Sequence, residues 1–256
     1  MHRATLTATI LLAALTGCSK PADKPAETPT PPKAEPMAFV TVIYNTPKSA
    51  ADFEKYYWEK HIPLVNQKAP EIGFVGAELT KFDATLDGQA PTYYRQAVLW
   101  FKSMAALEIG VGTPAFKAVG ADLAQFATGG LIAMVGEETS DNTALLSGDT
   151  TAFVTVLYNQ PKDPAAFEAY YAQTHIPLVV QHAAQIGFTR AELTRFGKNL
   201  DGTPAALYRQ AKLYFPNAAA RTAGTATDGF KAVGGDLPNF ATGGLAALVG
   251  HLTSHP

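Results

Sequence analysis

The chain has 256 residues, a formal net charge of −2 and 47% apolar residues, enough to build a hydrophobic core in more than one domain. Its near-balanced charge carries no basic stripe, which argues against nucleic acid as a partner. Cys18 is the only cysteine, so no disulfide forms within the chain. Beyond the first twenty residues no apolar run approaches the roughly 18–20 residues needed to span a bilayer.

The first residues have the composition of a targeting segment: His2-Arg3, then a mostly apolar run from Thr5 to Leu15. The next residues, Leu15-Thr16-Gly17-Cys18, resemble the lipobox of bacterial lipoproteins. That resemblance implies a signal peptide over 1–17, cleavage before Cys18 and lipidation of that residue, an anchor strong enough to hold the chain on a membrane. Ser19 in the following position implies the outer membrane, facing the periplasm. The alternative is an ordinary secretory leader with an incidental cysteine. Residues 18–36 are rich in proline, alanine, lysine and acid, without apolar periodicity, and read as an extended tether.

From residue 37 the elements follow in order. Phe39 to Tyr44 is a β-branched and aromatic strand, stopped by Asn45 to Pro47. Lys48 to about Gln67 has helical spacing, with Phe53, Tyr57 and His61 on one face and Ser49 as N-cap. Pro63 lacks a backbone donor and predicts a kink or restart just after His61. Phe74 to Phe82 is a second strand, Asp87-Gly88 a turn, and Tyr93 to Phe101 a third strand. Residues 103–119 form a second helical stretch, and Leu131 to Val135 is the last strand.

Everything then repeats. Tyr56-Tyr57-x-x-x-His61-Ile62-Pro63-Leu64-Val65 returns as Tyr170-Tyr171-x-x-x-His175-Ile176-Pro177-Leu178-Val179, and Tyr94-Arg95-Gln96-Ala97 as Tyr208-Arg209-Gln210-Ala211. The register is constant and roughly six positions in ten are identical, which marks a duplicated domain rather than a solenoid of short units. The domains are 37–136 and 151–252, with a polar linker over 137–150. Each copy reads β-α-β-β-α-β, a ferredoxin-like unit with helices on one sheet face. The bare face needs a cover, which the twin supplies. The expected fold is therefore α+β: two such repeats packed sheet to sheet within one chain as a pseudo-dimeric barrel. The hollow between the sheets is the expected site.

The strand Val40-Thr41-Val42-Ile43-Tyr44-Asn45, the helix Phe53-x-x-Tyr56-Tyr57-x-x-x-His61-x-Pro63-Leu64 and the closing Asp236-Leu237-Pro238-Asn239-Phe240 resemble the EthD family of the dimeric α+β barrel superfamily. Copy one departs from the closing motif with Asp122-Leu123-Ala124-Gln125-Phe126. The resemblance implies an oxidoreductase or related enzyme acting on a small aromatic or polyketide-like molecule. The alternative is a periplasmic binding or stress-protection lipoprotein without catalysis. Haem or flavin used elsewhere in the superfamily does not transfer without ligand residues, so the cofactor is left unknown.

His61 and His175 are the candidate acid/base groups. At the end of a helix segment the dipole favours imidazolium while burial favours the neutral ring, which together set the pKa near neutrality. The competing reading is a histidine that caps helix carbonyls or hydrogen-bonds in the core. Tyr57 and Tyr171 lie one turn before these histidines, and Tyr44 and Tyr158 near the end of the first strand; each is a substrate-orienting phenol or a plain core aromatic. Glu78 with Arg95, and Glu192 with Arg209, read as ion pairs across neighbouring strands or as a base with a carboxylate-holding cation. Lys212 and Tyr214 replace Val98 and Trp100, a difference in cavity polarity or an exposed face. Gly110-x-Gly112 is not a dinucleotide fingerprint, since no strand precedes it. Gly129-Gly130 and Gly243-Gly244 read as backbone devices before the last strands. The spacing of His175 and His182 supplies no third metal ligand.

Overall fold

The computed structural model describes residues 36–140 and 151–254. The leader 1–17, Cys18 and its lipobox, the tether to residue 35, the linker from 141 to 150 and the last two residues lie outside the described residues. Among the described residues no helix is long and apolar enough to cross a membrane.

The first half runs β1 (Ala38–Tyr44), α1 (Ala50–Tyr56), a π-helical turn (Tyr57–His61), α2 (Ile62–Ile72), β2 (Gly76–Thr85), β3 (Arg95–Phe101), α3 (Met104–Gly112), α4 (Pro114–Asp122) and β4 (Leu131–Glu138). The second half repeats it as β5 (Ala152–Tyr158), α5 (Pro164–Tyr170), a π turn (Tyr171–His175), α6 (Ile176–Ile186), β6 (Arg190–Asn199), β7 (Arg209–Phe215), α7 (Ala218–Thr225), α8 (Asp228–Asp236) and β8 (Leu245–Leu252). Ser49 caps α1 by accepting from the Asp52 amide at 3.2 Å, as its position suggested.

Pro63 does not break the helix. The chain stays helical from Ala50 to Ile72, passing the proline by way of the π turn, whose wider loop closes from the Ile62 amide to the Tyr57 carbonyl. His61 therefore sits inside a continuous helix rather than at a C-terminus, and the expected pull of the helix dipole on it is absent.

The eight strands close in the order β1-β3-β2-β8-β5-β7-β6-β4. Each half contributes four antiparallel strands, and the halves join edge to edge through β2–β8 and β4–β6. The second junction extends β4 past the expected Val135, because Glu137 and Glu138 pair with Arg195 and Thr194. Closure removes the sheet edges that an isolated repeat would expose.

Both strand faces are buried. Val40 and Leu99 pack outward under the helices with Val65, Leu107 and Val119. Their neighbours Thr41 and Val98, opposite Glu78 in the register, face the lumen. Gly129 is required where the chain enters β4: a Cβ there would lie 2.1 Å from the Thr46 carbonyl oxygen, and Gly130 follows with φ +84°. Gly110 brings α3 onto the end of α2, where a Cβ would lie 2.4 Å from the Ile72 carbonyl oxygen.

Candidate functional site

The adjacent tyrosines at the start of the π turn, Tyr56 and Tyr57, point in different directions. Tyr57 and His61 stack on each other at 5.8 Å, against Phe126, whose centroid lies 4.7 Å from the imidazole. Tyr56 points instead to the end of α4, where its hydroxyl donates to Asp122 Oδ1 at 2.8 Å. The other carboxylate oxygen, Asp122 Oδ2, meets His61 Nδ1 at 2.8 Å. The second half reproduces this set: His175 Nδ1 to Asp236 Oδ2 at 2.8 Å, and Tyr170 to Asp236 Oδ1 at 2.7 Å. An ionised carboxylate only accepts, so Nδ1 carries the proton in the neutral ring and Nε2 is its basic edge. Each histidine is thus held by an aspartate from the other end of its own repeat.

Neither aspartate was singled out from sequence, although both stand in the closing motif. The available signal was an acid retained at the same distance after each histidine.

Each histidine faces a cavity between its sheet and its helices. In the second half the cavity is about 310 Å³ and is lined by Tyr158, Tyr171 and His175 among Val154, Val179, Leu193, Phe230 and Val233. In the first half the matching cavity is about 110 Å³, lined by Tyr44, Tyr57 and His61 with the corresponding aliphatic residues. Each is completed by the opposite half: Leu86 of the β2–β3 hairpin lines the larger cavity, and Leu200 of the β6–β7 hairpin lines the smaller one. The Leu86 amide donates to the Ala247 carbonyl at 2.9 Å and that of Leu200 to Ala133 at 2.9 Å, which fixes both hairpins on the neighbouring repeat. Leu86 is 39% exposed and Val180 67% exposed, so apolar side chains form the rim of the larger cavity.

Electrostatics follow from this enclosure. Burial lowers the pKa of His61 and of His175, and the hydrogen bond and charge of Asp122 or Asp236 offset it only in part. Both rings are therefore neutral at pH 7, with Nε2 available as a base. Burial also raises the phenols of Tyr57 and Tyr171, which remain protonated donors. Tyr57 Oη is buried with no hydrogen-bond partner among the described residues. An orphaned hydroxyl of this kind is costly unless something occupies the cavity beside it.

The other expected site residues lie elsewhere. Lys81, not Glu78, stands opposite Arg95, and Glu78 faces Val98, so Glu78 and Arg95 project from opposite sheet faces. The expected Glu78–Arg95 and Glu192–Arg209 pairs do not form. Arg95 lies under α1 with both carboxylate oxygens of Glu54, at 3.0 and 2.6 Å, and 4.9 Å from the Tyr57 ring centroid. Arg209 does the same with Glu168 and Tyr171. Burial pushes the Glu54 carboxyl up, but Arg95 and Tyr94 together hold it at about 2. Glu78 and Glu192 face the lumen, and so does Lys212, which is fully buried rather than exposed. The lumen is packed with these polar side chains. The histidine-lined cavities lie outside the sheet, not in the hollow between the halves where sequence placed the site.

Both repeats match the family described as the EthD domain, over residues 45–130 and 159–244, more than half of the chain. An uncharacterized 11.0 kDa protein encoded between thcB and thcC in Rhodococcus erythropolis is 37% identical over 95 residues, 37% of this chain and 88% of that protein. Among solved structures, an anthrone oxidase-like protein superposes with a TM-score of 0.55 at 14% identity, covering 86% of this chain and 92% of its own. A candidate monooxygenase from Fusobacterium nucleatum gives 0.53 at 13% identity, covering 86% and 94%. These two likenesses are of fold: both extend over the whole closed barrel.

Proposed function

Since the chain belongs to the EthD family, with two copies of its domain, we propose that it is an enzyme of oxidative type whose working site is the cavity of the second half. The substrate class is a small, flat, apolar molecule with one acidic C–H or O–H, as in aromatic ketones, phenols and polyketide-like rings. The observation that carries this reading is an apolar cavity of about 310 Å³ whose convergent polar groups are a carboxylate-held imidazole and two tyrosines. Nε2 of His175 takes the acidic proton, Asp236 stabilises the imidazolium that forms, and the neighbouring phenols orient the substrate oxygen. The oxidative names of the two fold neighbours favour electron loss from the resulting carbanion or enolate, with dioxygen as acceptor.

Anthrone tests this in the full chain, because its methylene is made acidic by the conjugated carbonyl. The balance is anthrone plus dioxygen giving anthraquinone plus water. The wild type is expected to bind and convert it. His175→Ala is expected to slow turnover by about 10²–10⁴-fold while retaining binding. Equal turnover in the variant would overturn the base assignment. Tight binding without conversion by the wild type would instead support a small-molecule-binding module.

The lipobox-like leader extends the proposal to location. A lipid anchor at Cys18 would hold the chain at a membrane, where hydrophobic substrates collect. Membrane extraction followed by intact-mass measurement tests it, and a soluble, unacylated mature protein would contradict it.

A further inference from the structure

The lumen of the barrel is charged, and the charges are not divided equally. A pseudo-twofold axis passes between Gln96 and Gln210, whose amides bond each other reciprocally at 2.9 and 3.1 Å, as equivalent residues do at an isologous interface. Around that axis the symmetry fails, among other positions, at three that lie together on β2 and β3 of the first half. Gly76, Val98 and Trp100 of the first half stand where the second half has Arg190, Lys212 and Tyr214.

The exchanges are mutually consistent. The Trp100 ring covers Gly76, where a Cβ would lie 2.6 Å from it. In the other half Arg190 lies 4.2 Å from the Tyr214 ring centroid and pairs with Glu192. Lys212 reaches across the barrel to Glu78 at 2.6 Å and Gln96 at 2.9 Å, and the Tyr214 hydroxyl donates to Glu78 at 2.8 Å. Of these lumen groups, the first half supplies one carboxylate, Glu78, and no cation. The second supplies one carboxylate, Glu192, and two cations. Counting these groups, the mixed barrel is neutral, whereas two first halves would carry −2 and two second halves +2. Buried charge of one sign is far more costly than a satisfied pair.

We propose that this distribution is a pairing code: the lumen face of each repeat is an interaction surface whose partner is the opposite repeat and not a second copy of itself. Repulsion within the like pairings supplies the discrimination, as specificity often requires. The duplication has therefore become irreversible, because neither half retains the lumen of a symmetric dimer.

A swap cycle in the full chain tests this. Arg190→Gly with Lys212→Val and Tyr214→Trp gives both halves the first set. Gly76→Arg with Val98→Lys and Trp100→Tyr gives both the second set. All six together exchange the sets and restore neutrality. Each triple variant is expected to raise the unfolding constant by roughly a hundredfold or more, read as a lower urea midpoint. The sixfold variant is expected to return close to the wild-type midpoint with the native mass of the wild type. Triple variants as stable as wild type would overturn the code. So would a sixfold variant no more stable than the triples, since the loss would then reflect local packing at each position. Turnover of anthrone plays no part in this readout, so the function proposed for the His175 cavity stands or falls separately.

Discussion

The two halves hold their histidines identically, with imidazole to carboxylate at 2.8 Å in each, yet they enclose cavities of about 110 and 310 Å³. The difference comes from across the barrel. Leu200 is half-buried against the cluster of Val40, Val65 and Val119, filling the first cavity. Its counterpart Leu86 remains 39% exposed at the rim of the second. The hairpins that carry these leucines are pinned differently. Asn199 donates to Thr203 Oγ1 at 3.0 Å and to the Pro204 carbonyl at 2.9 Å, and accepts from the Ala206 amide at 3.0 Å. Thr85 stands in its place in the first half and bonds Asp87 and Gln89 instead. A duplicated site can thus keep its polar machinery in both copies while the opposite hairpin determines which copy has room for a ligand.

The largest expected contrast is catalytic. His175→Ala should slow turnover by about 10²–10⁴-fold, whereas His61→Ala should leave it within a factor of two or so of wild type, by initial rates with anthrone. Equal losses in both variants would mean that the halves work alike. Next comes the smaller cavity. Leu200→Ala should cost about 2 kcal/mol of stability by urea unfolding, at the low end for leucine truncation because the side chain is only half-buried. It should also raise the calorimetric ligand stoichiometry from one per chain towards two; an unchanged stoichiometry would show that something other than Leu200 limits the first cavity.

Protonation effects are smaller and shared by both halves. The folded pKa of each histidine is lowered by burial below the unfolded value of about 6.5. The unfolded chain then binds more protons in the interval between those values. Stability should be full above about pH 6.5 and fall as pH drops towards the folded pKa. Either alanine variant should flatten this slope by a similar amount in urea unfolding at pH 5 and 7.5. The smallest effect concerns Asn239, which donates to Asp236 Oδ1 at 2.9 Å, where copy one has Gln125. Asn239→Ala should cost at most about 1 kcal/mol of stability by urea unfolding, the worth of one hydrogen bond. By NMR it should also raise the Asp236 carboxyl from its lowered pKa.

The fold was legible in the sequence because the repeat supplied two copies of every signal, and the turn residues, Ser49 and the paired glycines keep their expected roles. The partners of the charged strand residues were not. Alternation reveals sheet faces when one is wet, but here helices cover one face and the twin repeat encloses the other. With both faces buried, Glu78 and Arg95 gave no sign that they point opposite ways. The continuity of the helix through Pro63 was hidden for another reason, since a π turn has no marker in residue types. Tyr57 and His61 were placed together correctly by helical spacing. Asp122 and Asp236 were missed because contact across a whole repeat leaves only a fixed sequence interval as its trace.

The most direct measurement is an NMR titration of the histidine-labelled full chain with anthrone under anaerobic conditions, where no oxidation removes the ligand. Saturable shifts confined to His175, with His61 unmoved, are the expected result. Shifts of equal size at both histidines, or none at either while anthrone binds, would contradict a working site built on the second half alone.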